Sequence, residues 1–181
     1  MSLIAGNLGI IQRLLDEHEL MWGVYAGAAA HIYGNRRPIK NIDILVPNGQ
    51  LRTVVEFMQK AKRVVQFDGR RIMWSGINIA DNLNVRRTDG TYHFSMDAAM
   101  VEHLRRMPLL GSRVFILAPE DVLVHKLLME RGADHAEKDQ SDAAAIAGRH
   151  QFDTEYIKQR LKVINATDAL LPRLKELGVT I

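Results

Sequence analysis

The sequence predicts an α+β protein: a mixed β-sheet flanked by helices, followed by a C-terminal helical bundle. Three observations carry that expectation. Short alternating apolar segments crowd residues 22–98 and are punctuated by Pro47-Asn48-Gly49, Asp68-Gly69 and Asp89-Gly90, turn sequences of the kind that join strands. From Pro119 onward every segment has helical periodicity. Strands and helices do not alternate regularly, which argues for segregated layers over repeated βαβ units. The expected division is an α/β part over residues 1–117 and a helical extension packed on it over 118–181.

Residues 8–19 carry apolar side chains at 8, 10, 11, 14 and 15, the spacing of an amphipathic helix. Residues 22–26 form a short apolar strand that ends in a turn at Gly27, and 28–33 a short helix closed by Gly34 and Asn35. A strand over 41–46 stops at Pro47, and 51–61 is helical. Strands follow at 63–67, 71–74, 84–87 and 92–98, with 77–80 a further candidate. Residues 101–107 are expected to be helical and 113–117 extended. Pro119 suits a first helical position, and Glu120 and Asp121 sit in the first turn, where the dipole favours acids. Helices are then expected over 119–131, 135–148, 153–163 and 167–177, broken by Gly132, Gly148 and Asn165-Ala166-Thr167.

An apolar content of 47% over 181 residues is enough for a core. No apolar run reaches the roughly eighteen residues of a membrane span. The opening residues lack the charged flank and apolar stretch of a signal peptide, so the cytoplasm is the expected location. The absence of cysteine excludes disulfides and thiolate metal sites. Seven histidines are scattered without ligand spacing, which argues against zinc. There is no Gly-x-Gly-x-x-Gly turn, Walker loop or Gly-x-Ser-x-Gly elbow. The net charge of +3 is mild. Basic pairs such as Arg70-Arg71, Arg86-Arg87 and Arg105-Arg106 read first as solvated faces, and as a polyanion surface only where they converge.

Residues 25–46 hold the chemistry. Gly27 opens a helix whose first backbone N–H groups have no intrahelical partner and whose dipole favours an anion. On the strand that follows, residues two apart share a face, so Asn41 and Asp43 point one way while Ile42 and Ile44 face the core. Taken alone, Gly27-Ala28-Ala29-Ala30 reads as tight strand-to-helix packing; its place ahead of Asp43 is what marks it.

This arrangement resembles the nucleotidyltransferase superfamily, the DNA polymerase beta-like fold, and especially its small minimal and antitoxin-like members. Their pattern is Gly-Gly or Gly-Ser, then Asp-x-Asp on a strand, then a third carboxylate on a neighbouring strand. The matching residues are Gly27-Ala28 and Asn41-Ile42-Asp43, so the first carboxylate of the pair is replaced by Asn41. Arg37-Pro-Ile-Lys-Asn-Ile-Asp43 is similar to the family's Arg-x-Thr-x-Asp-x-Asp stretch, with Ile39 in place of threonine. Pro119-Glu120-Asp121, Lys126, Lys138-Asp139 and Asp142 resemble a signature of small family members. The resemblance spans roughly residues 22–145 and implies a nucleotidyltransferase-type mixed sheet. It also implies Mg²⁺-dependent transfer of a nucleoside monophosphate, AMP foremost, from a nucleoside triphosphate to a hydroxyl on a small molecule, an RNA or a partner protein.

By the same resemblance Asp43 would bridge two Mg²⁺ ions about 3.5–4 Å apart, with Asn41 and the third carboxylate completing the metal ligands. Asp97 is the candidate for that carboxylate and for the general base, with Asp81 the alternative. Gly27, Ala28, Arg36, Arg37 and Lys40 would hold the nucleotide, the arginines through their planar forks. Asn41 can ligate Mg²⁺ through its amide oxygen but brings no charge, so the second metal is weakly retained. Losing one such contact typically costs about 2–4 kcal/mol at the transition state. The competing expectation is therefore a catalytically weak nucleotide- or partner-binding module of the toxin–antitoxin kind. Lys126, Lys138, Asp139 and Asp142 read first as an ion network fixing helices and second as cleft lining.

Overall fold

A computed structural model describes the backbone of residues 2–129 and 133–181 and the side chains of residues 2–129 and 138–181. The strands are β1 (Gly23–Tyr25), β2 (Ile42–Leu45), β3 (Gln66–Phe67), β4 (Arg71–Trp74), β5 (Ile77–Ala80), β6 (Asn82–Arg87), β7 (Gly90–Ser95), β8 (Arg105–Leu109) and β9 (Ser112–Ile116). The helices are α1 (Leu3–Glu17), α2 (Ala26–Tyr33), α3 (Leu51–Lys60), α4 (Ala98–His103), α5 (Pro119–Leu128), α6 (Ala133–Ala147), α7 (Thr154–Val163) and α8 (Thr167–Glu176). The architecture is α+β with a mixed sheet, as the sequence predicts.

The chain forms two compact units. The first contains Met1–Ala28, Ile39–Asn82 and Ser95–Leu117; the second contains Ala29–Pro38, Leu83–Phe94 and Ala118–Ile181. The units are therefore not the contiguous blocks 1–117 and 118–181. Segments 29–38 and 83–94 cluster with the C-terminal helices.

In the first unit seven strands pair in the order β3-β4-β5-β2-β1-β9-β8. β2 runs parallel to β5 and antiparallel to β1, and β1 runs parallel to β9. Opposed residues in adjacent strands share a sheet face. The register therefore lines up Ile116, Val24, Ile44, Ile79 and Ile72 on one face, all fully or almost fully buried. It lines up Tyr25, Asp43, Asn78 and Met73 on the other. α1 packs on β5 and β9, and α3 on β4. Ser2 caps α1 by accepting from the Ala5 N–H, and α1 buries Leu8, Ile11 and Leu15, a stripe with helical period. Each such side chain contributes about 1.5–3 kcal/mol through burial. A Cβ on Gly23 in β1 would lie 2.8 Å from the Leu104 side chain and 2.9 Å from that of Leu117, so both would have to shift.

Two local expectations are corrected in this unit. The helix expected over 101–107 begins at Ala98 and ends at His103, and Arg105–Leu109 is the edge strand β8, antiparallel to β9. Pro108 is tolerated there because an edge strand leaves one side of its ladder unpaired. α2 begins at Ala26 directly after β1, so Gly27 lies inside its first turn.

In the second unit α5 is buried along its whole length, with α6, α7 and α8 packed around it. Its polar residues each have partners. Asp121 accepts from the Tyr156 hydroxyl at 2.7 Å and pairs with Arg160 Nε at 2.9 Å. Glu120 accepts from the Asp153 N–H at 3.0 Å. Lys126 Nζ lies 2.9 Å from Asp139 and 2.6 Å from Asp142. Asp142 also accepts from Asn35 and Arg37 in the segment after α2. That segment turns at Gly34, whose φ of +140° and distance of 2.7 Å from a notional Cβ to Arg149 leave no room for a side chain. Gly132, expected to break two helices, lies outside the described residues, and Lys138 is exposed.

Candidate functional site

The polar row on the first unit's sheet centres on Asp43. Alternation along β2 buries Ile42 and Ile44 and leaves Asn41 and Asp43 half-buried on the opposite side. Asn41 Nδ2 donates to Asp43 Oδ2 at 2.8 Å. From β5, Asn78 Nδ2 donates to Asp43 Oδ1 at 2.9 Å. A carboxylate oxygen only accepts, so both carboxamides must turn their nitrogens toward Asp43 and their oxygens away. Each bond to this charged acceptor is of the kind that contributes about 1.5–3 kcal/mol when desolvated.

On the other side, Tyr25 of β1 pairs in register with Asp43. Burial pushes its phenol far above the usual range, the negative charge of Asp43 pushes it further, and Arg71 of β4 draws it back. The phenol therefore stays protonated, and Arg71 is a cation within the field of the row. Arg71 also pairs with Asp68 at 3.3 Å near the solvent.

Two residues beyond Tyr25, Gly27 is exposed in the first turn of α2, and a Cβ built on it meets nothing within 4 Å. Ala26 has φ of +55°, which turns the chain from strand into helix. Backbone N–H groups there are accessible to an anion. Ala28 is buried, so only its backbone is available. Lys40 and Arg36 are exposed, whereas Arg37 is held by Asp142 within the second unit.

Asp97 does not occupy a strand beside Asp43. β1 and β5 are the strands that flank β2 at Asp43; Met96 forms a parallel bridge with Pro47, four residues further along, and Asp97 is the N-cap of α4, accepting from the Met100 N–H at 2.9 Å. The alternative, Asp81, follows β5 and accepts from the Gly49 N–H at 2.8 Å, fixing the turn after β2. The position facing Asp43 on the neighbouring strand is Asn78. Sequence reasoning missed it because a carboxylate was sought. The signal was present in Ile77-Asn78-Ile79, which repeats the apolar-polar-apolar order of Ile42-Asp43-Ile44.

This donor set does not fit a pair of magnesium ions. One carboxylate stands where three are wanted, and N–H groups face both of its oxygens. Among the described residues no three His, Cys, Asp or Glu side chains converge on a point. The Lys126–Asp139–Asp142 cluster is an ion network within the second unit and joins α5 to α6. A cavity of about 400 Å³ beside it is lined by Lys126, Asp139, Arg173 and Glu176, among others.

The fold is similar to that of solved nucleotidyltransferase-like structures. Among solved structures, ANT(2")-Ia in complex with adenylyl-2"-tobramycin matches 95% of this chain and 99% of its own, with a TM-score of 0.58 and 12% identity. An antigenic nucleotidyltransferase-like protein from Paracoccidioides brasiliensis matches 98% of this chain and 93% of its own, with a TM-score of 0.55 and 13% identity. At these identities the likeness is one of fold. No family model matches the chain. No curated protein matches it. Among the described residues no helix is long and apolar enough to cross a membrane.

Proposed function

We propose that this chain is a nucleotide-binding module on a nucleotidyltransferase fold, catalytically weak in nucleotidyl transfer. The observation that carries the reading is the Asn41–Asp43–Asn78 row, in which a single carboxylate is held by two neutral amides. Three carboxylates would bring −3 to the site and balance two divalent cations against a triphosphate; this row brings −1. In-line transfer without that charge loses its main electrostatic stabilisation, and each missing contact is worth about a hundred- to a thousandfold in rate. Binding suffers less. The open turn at Gly27 offers backbone N–H groups to a phosphate, and Lys40 of the same unit is an exposed cation.

A second reading is favoured by the strand position that Asp43 keeps. It is Mg²⁺-dependent transfer of AMP from a nucleoside triphosphate to a hydroxyl, the acceptor being a small molecule, an RNA or a partner protein. The fold match to ANT(2")-Ia, solved with an adenylylated tobramycin, makes a small-molecule hydroxyl the first acceptor to try. Binding and turnover of labelled nucleoside triphosphates by wild type and Asn41→Asp separate the two. The module reading expects binding by wild type with no AMP transfer. Sustained transfer by wild type contradicts it, and so does failure of wild type to bind any triphosphate.

A further inference from the structure

We infer that this chain has replaced the metal site of its fold with a hydrogen-bonded carboxamide pair, so that Asp43 is held without divalent cations. The inference rests on the strand register and deepens the module reading. β2 has two neighbours in the sheet, and the residues they set opposite Asp43 are Tyr25 and Asn78, neither of them a carboxylate. Asn41 shares the Asp43 face two residues earlier on the chain. The two amides meet different oxygens, Asn41 on Oδ2 and Asn78 on Oδ1. Their N–H groups bring partial positive charge to the side of the carboxylate that a cation would otherwise occupy.

Asn78 complements Asn41. An aspartate at position 78 would face Asp43 in register, and like charges so close repel unless a cation lies between them. With both positions amide, the row is internally satisfied. A metal drawing its further ligands from this row would have to turn both amides over, losing two charge-assisted bonds, and beyond the single Asp43 carboxylate would gain only neutral oxygens. Of the other acids considered, Asp97 accepts from the Met100 N–H at the α4 cap and Asp81 from the Gly49 N–H in the turn after β2.

The test is Mn²⁺ binding to the full chain without nucleotide, followed by electron paramagnetic resonance and by thermal melting. Wild type is expected to show no stoichiometric Mn²⁺ site and no rise in Tm with Mn²⁺. Asn41→Asp/Asn78→Asp is expected to melt below wild type in chelator, to gain at least one Mn²⁺ site, and to regain several degrees when the ion is added. A stoichiometric site in wild type that disappears in Asp43→Asn would overturn the inference. So would a folded double variant that takes up no Mn²⁺. Should the double variant fail to fold, the comparison of wild type with Asp43→Asn still decides. These measurements contain no nucleotide, whereas ATP binding in chelator tests the module reading, so failure of one is distinct from failure of the other.

Discussion

Asp43 and Asn78 face each other across the parallel pairing of β2 and β5, and Asn78 Nδ2 donates to Asp43 Oδ1 at 2.9 Å. The contact follows from register: both residues are the polar member of an Ile-x-Ile triplet, so burying the four isoleucines brings the two polar groups to one face. Hydrophobic burial thus sets the geometry, and side-chain chemistry decides what the geometry can do.

Removing either amide should destabilise the fold modestly. For Asn78→Ala and Asn41→Ala we expect losses of about 1–2 kcal/mol each in urea unfolding, toward the low end for bonds to a charged acceptor because Asp43 is only half-buried. The double variant should depart from additivity, since both amides share one carboxylate. Strict additivity would indicate that the two bonds act independently of each other.

Asp97 separates a capping role from a catalytic one. Asp97→Ala should cost about 1 kcal/mol through loss of the Met100 N–H acceptor, and Asp97→Ser should restore most of it. Triphosphate affinity should be the same in all three proteins. A large loss of affinity with unchanged stability would return Asp97 to the site.

The sheet and the position of Asp43 could be read from the sequence because alternation is a local signal and the β2 triplet is bounded by Pro47-Asn48-Gly49. Asn78 could not be assigned, because which strand lies beside β2 is a non-local fact, and an asparagine carries no charge to draw attention. Asp97 drew it instead, since a carboxylate after an extended segment reads equally as a strand-end ligand or a helix cap. β8 was misread as helix because Arg105, Arg106 and Met107 have good helix propensity, which pairing with β9 overrides.

The ion network of the second unit should be structural. Lys126 is 5% exposed and its ammonium meets both Asp139 and Asp142. Lys126→Met leaves two buried carboxylates without their shared cation and should cost about 3–5 kcal/mol. Thermal melting of this variant checks the figure; an unchanged Tm would mean the carboxylates find other partners.

Tyr25 gives the protein an alkaline limit. Its folded-state ionisation lies above the ordinary phenol value of 10.0, chiefly through burial and then through Asp43. The folded form therefore retains a proton that the unfolded chain releases, so this contribution to stability is full below pH 10 and declines as pH rises beyond it. Tyr25→Phe should reduce the slope of stability against pH in that range. Asp43→Asn should bring the Tyr25 ionisation down, since the charge that opposes it is gone; phenolate absorbance measures the shift.

The most direct measurement of the central claim is nuclear magnetic resonance of the Asn41 and Asn78 side-chain amides during Mg²⁺ titration of wild type. Amides held on Asp43 should keep their shifts as Mg²⁺ rises to millimolar levels, and should move when Asp43 is changed to alanine. Saturable shifts of both amides at one or two equivalents of Mg²⁺ would contradict the account, because the carboxylate would then be holding a metal.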